Sequence, residues 1–505
     1  MKAAGRAGAT PPADPARDYS TRGSNSAWPD LSWVDEFWEQ AGPYIFSREE
    51  DGILILPPNR VFKINATGAA LIRHLKEGRS ISSLFGNAPQ RKRDRDQRAP
   101  GVSGEGTAGS VLERLLSVEG FFRSLAQLYQ GDEAGAALER LPFTFDFSRL
   151  PILGEIAVTY RCNNRCLFCY AGCGPESGGG NAKFGAAGEV STESWKRIIR
   201  IFKEEARIPF FSFTGGEPLL RKDLEELISY AIRLGLETNL VSNGTLAQGR
   251  RAESLYAAGL RTAQVSIEAP RADLHDFLAG RIGAFDETVR GIQALMEAGI
   301  SVQTNTTITR ANWEIAAAMP AFLASLGIRR FAMNMYIPAI PPQNLEDLSI
   351  YYDEIGPVVD SIRKAAYQAG LTFYWYSPTP FCHYNPIARG MGNKSCAAAD
   401  GLISVAANGD LLPCSSWDEP IGNLLASPFG ELWHSTRAHF FKHKQFAPEL
   451  CKGCSSFTAC QGACPLYWKA YGEGLLGSVP SRIAGEALGN CAAETRVLDG
   501  IGEAL

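Results

Sequence analysis

From residue 150 the sequence repeats one pattern: a short apolar run, then a stretch with helical spacing. The runs are Gly154–Thr159, Phe210–Thr214, Glu237–Val241, Ala263–Ile267, Val302–Thr307 and Arg329–Met335. Between them Trp195, Ile198, Ile199 and Phe202 share one helical face, as do Leu224, Leu227, Ile228 and Ala231. Strands that alternate with helices cross over and pair in parallel. The six repeats therefore predict an α/β sheet, open or closed into a partial (β/α)6 barrel. In such sheets chemistry gathers beyond the strands' C-terminal ends. Cys162–Cys169, Gly215–Pro218 and Ser242–Gly244 all fall there.

The 505 residues suggest about three domains at ~150 residues each. Hydrophobic residues make up 45%, ordinary for a chain with a sizeable core. A net charge of -4 argues against bulk binding to nucleic acid. No apolar run reaches the ~18 residues of a membrane span. Residues 1–27 lack an apolar core segment and read as a disordered tail rather than a signal peptide. The chain is therefore expected to be cytoplasmic. Cysteine is the distinctive residue, with twelve in all. Cys162, Cys166 and Cys169 form one set; Cys382, Cys396, Cys414, Cys451, Cys454, Cys460, Cys464 and Cys491 form another. With no sign of export, metal ligation is a better reading than disulfides.

The first set has the spacing CxxxCxxC and follows the first strand directly. Three thiolates on one tight loop can hold three irons of a [4Fe-4S] cluster and leave the fourth iron open. A structural zinc site wants four ligands, and Cys173 is placed to be the fourth. Residues 150–376 resemble the radical SAM superfamily, in which the open iron binds S-adenosylmethionine (SAM). The resemblance rests on the three cysteines, on Tyr170 after them, on Thr214-Gly215-Gly216-Glu217-Pro218, on Ser242-Asn243-Gly244-Thr245 and on Ser266-Ile267-Glu268. It implies that Tyr170, Gly215, Gly216, Glu217, Ser242, Asn243, Ser266, Glu268 and Asn305 line the SAM site. Glu268 stands where many relatives have Asp. Ser266 and Asn305 fit strand-end hydrogen bonding as well as ligand contact.

In the second set Cys396 is followed by twelve residues, Gly409, four residues and Cys414. Cys451-x-x-Cys454, five residues, Cys460, three residues and Cys464 come next, then Cys491. This looks like the seven-cysteine SPASM pattern that binds auxiliary [4Fe-4S] clusters. The resemblance implies three clusters in all. Cys382, Cys396, Cys414 and Cys464 would hold the nearer auxiliary cluster, and Cys451, Cys454, Cys460 and Cys491 the farther one. Without Cys382 the nearer cluster keeps an open iron.

Residues 43–130 carry strand-like runs Tyr44–Phe46, Gly52–Leu56 and Val61–Ile64, then a helix after Asn65. They resemble the PqqD-like peptide-recognition element of enzymes that modify ribosomally made peptides. That element captures a precursor's leader as an added strand. The expected organisation is a tail over 1–27, a winged-helix-like α+β module over 28–130 with a disordered insert near 87–110, the barrel over 131–380, and the SPASM domain over 381–505. The implied function is a radical SAM oxidoreductase that modifies a peptide through a 5′-deoxyadenosyl radical. It would form a thioether or carbon–carbon cross-link, or oxidise a side chain, with flavodoxin or ferredoxin as reductant. Alternatives are a formylglycine-type or tetrapyrrole-modifying radical SAM enzyme, and a non-catalytic iron–sulfur peptide chaperone. No general base stands out.

Overall fold

The computed structural model describes residues 29–56, 60–85, 107–130, 136, 138–142, 147–173, 188–339, 348–474, 476 and 494–498. The expected tail, most of the insert near 87–110, and Cys491 lie outside them. The chain divides into two compact units: Met1–Phe143 with Glu494–Leu505, and Thr144–Ala493. Three expected boundaries shift accordingly, the first from 130/131 to 143/144. The last residues leave the cysteine-rich domain for the N-terminal unit, and no break falls at 380/381.

The N-terminal unit contains α1 (Ser32–Ala41), β1 (Phe46–Arg48), β2 (Ile53–Leu56), β3 (Arg60–Ile64), α2 (Ala66–Lys76), α3 (Thr107–Gln130) and β4 (Leu138–Pro142). Asn65 starts α2 by accepting from the Gly68 N–H at 2.8 Å. Gly68 lets α2 meet α3 closely, since a Cβ there would lie 2.7 Å from the Phe121 ring. Ile72, Leu54, Val118, Phe121 and Phe122 fill the core, each buried aliphatic or aromatic side chain contributing roughly 1.5–3 kcal/mol. The sheet order is β1-β2-β3, then the C-terminal strand Glu494–Leu498, then β4. The expected strands over Gly52–Leu56 and Val61–Ile64 and the helix after Asn65 are present, whereas Tyr44 ends a 3-10 turn over Gly42–Tyr44 and the first strand begins only at Phe46. Periodicity had not signalled α1, β4 or the returning C-terminal strand.

The second unit is built on a ten-stranded sheet. Its strands are β5 (Leu153–Thr159), β6 (Phe210–Gly215), β7 (Glu237–Ser242), β8 (Thr262–Ser266), β9 (Ser301–Ile308), β10 (Arg330–Met335), β11 (Thr372–Trp375), β12 (Leu402–Val405), β13 (Asp410–Leu412) and β14 (Gly422–Asn423). The order is β11-β10-β9-β8-β7-β6-β5-β12-β13-β14. All six strands anticipated from the alternation are present, and β11 adds a further parallel strand beside β10. Asn408-Gly409, a dipeptide that favours tight hairpin turns, closes a hairpin between β12 and β13, with Gly409 at φ +86°. Its first strand, β12, pairs parallel to β5, so the cysteine-rich segment continues the barrel sheet. This continuity is why no boundary falls near 380.

Alternation along β5–β9 separates two faces. Ile156, Phe211, Phe213, Leu240, Ala263, Val265 and Val302 pack outward in the core. Helices α4 (Thr192–Glu204) and α5 (Leu224–Arg233) supply its other half through the apolar faces read from the sequence. Ser191 caps α4 by accepting from Ser194 N–H. The other face lines the barrel interior with Glu155, Ser212, Asn239, Gln264, Gln303, Asn305 and Asn334, all partly exposed.

Candidate iron–sulfur and cofactor site

The loop that carries Cys162, Cys166 and Cys169 leaves β5 and is tied at once to the end of β6. Gly216 N–H donates to Thr159 O at 2.7 Å, and Glu217 N–H to Arg161 O at 2.8 Å. Gly215 sits at φ +135°. A Cβ there would meet Thr159 O at 2.0 Å, and one on Gly216 would meet Arg161 O at 2.3 Å. Two side chains would therefore force the strand ends apart, which gives the Gly215-Gly216 pair its physical reason.

Glu217 is fully buried, and its carboxylate is committed inside the protein. It accepts from Leu219 N–H at 3.0 Å, Ser242 Oγ at 2.9 Å and Asn243 N–H at 2.8 Å. Burial still pushes it up to about 7. Glu217 thus staples the β6 and β7 loops together. Ser242 buttresses this carboxylate rather than facing outward. Asn243 reaches the cysteine loop, donating to Asn163 Oδ1 at 2.9 Å and approaching Cys162 Sγ at 3.9 Å.

Glu268 is held by Thr307 N–H at 2.8 Å, and burial pushes it up to about 8. Its own N–H donates to His275 Nδ1 at 3.1 Å. Ser266 and Asn305 are register partners on β8 and β9. Asn305 Nδ2 donates to Asn334 Oδ1 at 2.9 Å, while its Oδ1 is buried with no hydrogen-bond partner. An orphaned acceptor beside the strand ends suits a ligand that brings a donor, as an amino group or ribose hydroxyl does.

The three thiols share surroundings that suit a cluster. Cys162 and Cys169 pack with Tyr160, Tyr170, Cys173, Ala406, Ala407 and Leu412. Burial pushes Cys162 up to about 12, and burial with the neighbouring Cys169 holds Cys166 well above the ordinary thiol value. Thiols crowded this way bind a cation far more readily than they ionise alone. Cys173 N–H donates to Cys169 Sγ at 3.4 Å, and the hydrogen bond from the Cys173 thiol favours the ionised form of Cys169.

The second set falls into two groups. Cys396, Cys414 and Cys464 lie in the main core. Burial, then the neighbouring Cys396, pushes Cys414 up to about 12. The stacked Tyr352 and Tyr467 rings, 3.7 Å between centroids, pack in this core too. The buried Lys444 donates to Cys396 O at 2.7 Å and to Asp400 Oδ2 at 2.9 Å. Cys382 does not join this group. Phe381 packs with Ala459 and Cys460, and its N–H donates to Cys460 Sγ at 3.4 Å. Burial and the nearby Cys460 and Cys454 push Cys382 up to about 11. Burial and the same group, Cys382 included, push Cys451 up to about 12. The cause is local. A turn folds His383 and Tyr384 N–H onto Pro380 O, and Tyr384 OH anchors it on Asp360 at 2.9 Å. The expectation that Cys382 accompanies Cys396 is corrected on this ground.

One residue on the interior face escaped the sequence reading. Glu155 accepts from Ser404 Oγ at 3.0 Å, and burial raises its carboxyl. The signal was present: a lone acid in the apolar strand Leu153–Thr159.

Comparison with known proteins agrees with this geometry. The radical SAM superfamily model matches residues 156–317, and the SPASM model, an iron-sulfur cluster-binding domain, matches 396–455. An AdoMet-dependent heme synthase of Oleidesulfovibrio alaskensis is 30% identical over 328 residues, covering 60% of this chain and 80% of the relative. The chain belongs to the radical SAM superfamily. It is an enzyme of that superfamily, with SAM and [4Fe-4S] clusters as its cofactors. PqqA peptide cyclase of Xanthomonas euvesicatoria is 24% identical, covering 62% of this chain and 82% of the relative. Among solved structures, Streptococcus suis SuiB superposes with a TM-score of 0.59 at 17% identity, covering 85% of this radical SAM chain and 96% of SuiB. That likeness shows a shared fold. Among the described residues no helix is long and apolar enough to cross a membrane.

Proposed function

We propose that this radical SAM enzyme modifies a ribosomally made peptide, which it binds through the peptide's leader. The lumen carries this reading. Asn239, Gln264, Gln303, Asn305 and Asn334 present side-chain amides to the barrel interior, with Ser212 and Glu155 beside them. Amides both donate and accept, the pattern a peptide backbone offers in return. Gln303 Nε2 donates to Tyr376 OH at 2.8 Å, so part of this surface is already fixed in orientation.

In this reading Cys162, Cys166 and Cys169 hold the SAM-binding cluster. Backbone at Gly215 and Gly216, with Tyr170, Asn243, Ser266 and Asn305, surrounds SAM. Glu217, Ser242 and Glu268 hold those groups in place. Bound there, the cluster and SAM supply a 5′-deoxyadenosyl radical that takes a hydrogen atom from a substrate carbon. The protein's part is to orient the substrate side chain and keep water out. Cys396, Cys414 and Cys464 would hold one auxiliary cluster. Cys382, Cys451, Cys454 and Cys460 hold the other. The N-terminal unit is the PqqD-like leader-binding element, and a cytoplasmic flavodoxin or ferredoxin supplies electrons.

A second reading, a tetrapyrrole-modifying enzyme, is favoured by the heme synthase relative. One experiment separates the two. The enzyme, loaded with iron and sulfide under anaerobic conditions, is given SAM, dithionite and either a peptide encoded beside its gene or an iron porphyrin. Peptide modification seen as loss of hydrogen by mass spectrometry supports the proposal. Turnover of the porphyrin alone overturns it.

A further inference from the structure

The side chain of Lys444 is fully buried, which is rare for an ammonium group. The short helix Thr436–Lys442 leads to it. Phe441 anchors that helix edge-on against Trp417, with ring centroids 5.0 Å apart. The chain then turns back: Lys444 N–H donates to Phe441 O at 3.1 Å and Gln445 N–H to Phe440 O at 2.9 Å. Lys444 takes φ +54°, a left-handed conformation that costs energy for a residue with a Cβ. Its ammonium points inward and donates to Cys396 O at 2.7 Å and to Asp400 Oδ2 at 2.9 Å.

Stability is a poor reason for this arrangement. A buried ion pair is often no more stable than apolar side chains of the same volume. Its place in the fold points to another reason. The ammonium closes the turn from Cys396 to Asp400, in which Asp400 N–H donates to Ala397 O at 3.1 Å. Ala399 N–H donates to Pro413 O at 3.0 Å, so the same turn is fastened beside Cys414. Lys444 therefore stands against the segments that carry Cys396 and Cys414, two of the three thiols grouped in the core with Cys464. Burial raises Cys396, and the Lys444 charge opposes that rise by favouring the thiolate. A buried cation does the same for any negative charge added nearby, because little water intervenes to screen it. Asp400 offsets this only in part, since its side chain is 15% exposed and meets solvent.

We propose that Lys444 sets how readily the auxiliary cluster at Cys396, Cys414 and Cys464 accepts an electron. The proposal rests on the assignment of those three thiols to one cluster. Reduction adds one negative charge to a [4Fe-4S] cluster, and the potential follows the charge, hydrogen bonding and exposure around it. Lys444 acts through Cys396 and the local field, as a positioning residue.

The test uses the full chain, loaded with iron and sulfide under anaerobic conditions, titrated with reductant and followed by electron paramagnetic resonance. Cys414→Ala marks the signal in question by removing it. Lys444→Gln keeps a donor for Cys396 O and removes the positive charge. Asp400→Asn keeps the partner's shape and removes the negative one. Both break the ion pair, so a purely structural role moves the potential the same way in both. The proposal expects opposite shifts. Lys444→Gln should make reduction at least tenfold less favourable, about 59 mV for one electron, and Asp400→Asn about threefold more favourable. Signals that survive Cys414→Ala should stay in place. Shifts of one sign, no shift, or an equal shift of every signal overturns the proposal and leaves the thiol assignment standing. If Lys444→Gln fails to fold or loses a cluster's worth of iron, Asp400→Asn decides alone: a rise in potential supports the proposal, and a fall or no change overturns it. If Cys414→Ala removes no signal, the assignment itself falls and the proposal with it.

Discussion

The two cysteine regions obey different rules. Cys162, Cys166 and Cys169 come from one loop, delivered by one strand end and clamped by backbone bonds from Gly216 and Glu217. The second set draws on segments far apart in the chain, and packing decides which thiols meet. Spacing is therefore a dependable guide to the first group and a poor one to the second. Cys382 teaches this: in sequence it is nearest Cys396, yet the turn after Pro380 places it beside Cys460 and Cys454.

The most severe way to test the contrast is to replace Cys162, Cys166 and Cys169 together by Ala. Iron content should fall by one cluster, and 5′-deoxyadenosine formation should vanish. Continued formation would show that the loop is not the SAM site. Gly215→Ala should come next. A Cβ 2.0 Å from Thr159 O cannot be accommodated without parting β5 from β6. A stability loss of more than about 3 kcal/mol is expected in denaturant unfolding, with activity lost too. A neutral result would mean that the strand ends give way easily.

Cys382→Ala sharpens the comparison directly. Its electron paramagnetic resonance spectrum should match that of Cys454→Ala and differ from that of Cys414→Ala. A match to Cys414→Ala would return Cys382 to the other group. Glu155→Gln should slow product formation by about 10- to 100-fold if the carboxylate takes or orients a substrate proton. SAM cleavage should continue uncoupled; unchanged product formation would leave Glu155 a packing residue.

The mildest effect concerns acid. Burial lowers His275 from its ordinary value of 6.5 to about 4, so it is neutral in the fold. The unfolded chain binds that proton below about pH 6.5, and the folded chain does so only near 4. Stability from this group is therefore complete above pH 6.5 and falls as pH drops toward 4, by at most about 3 kcal/mol. His275→Gln should flatten that part of the pH–stability curve. An unchanged slope would place the sensitivity elsewhere.

Much of this could be read from the sequence because the interactions are local. The six barrel strands, the apolar faces of α4 and α5, the cap at Asn65 and the Asn408-Gly409 turn each depend on neighbours a few residues away. Ser242 and Glu217 were recognised as part of the site, but not that one buttresses the other, since their bond joins residues 25 apart. Strand β11 was missed because Thr372–Trp375 is short and aromatic, without the alternation that marks the others. Glu155 was missed because a single acid in an apolar run has no period.

The sequence by itself determined that this chain makes a parallel barrel with a three-thiol loop at its mouth, because strand–helix alternation and close cysteine spacing are written within a few turns of chain. Tertiary structure alone decided the rest. It gave Cys382 to Cys460, joined β12 to β5, and returned the last strand to the first sheet. Those pairings link residues that no local pattern relates, and they are chosen by which surfaces can be buried together and which backbone edges remain to be paired.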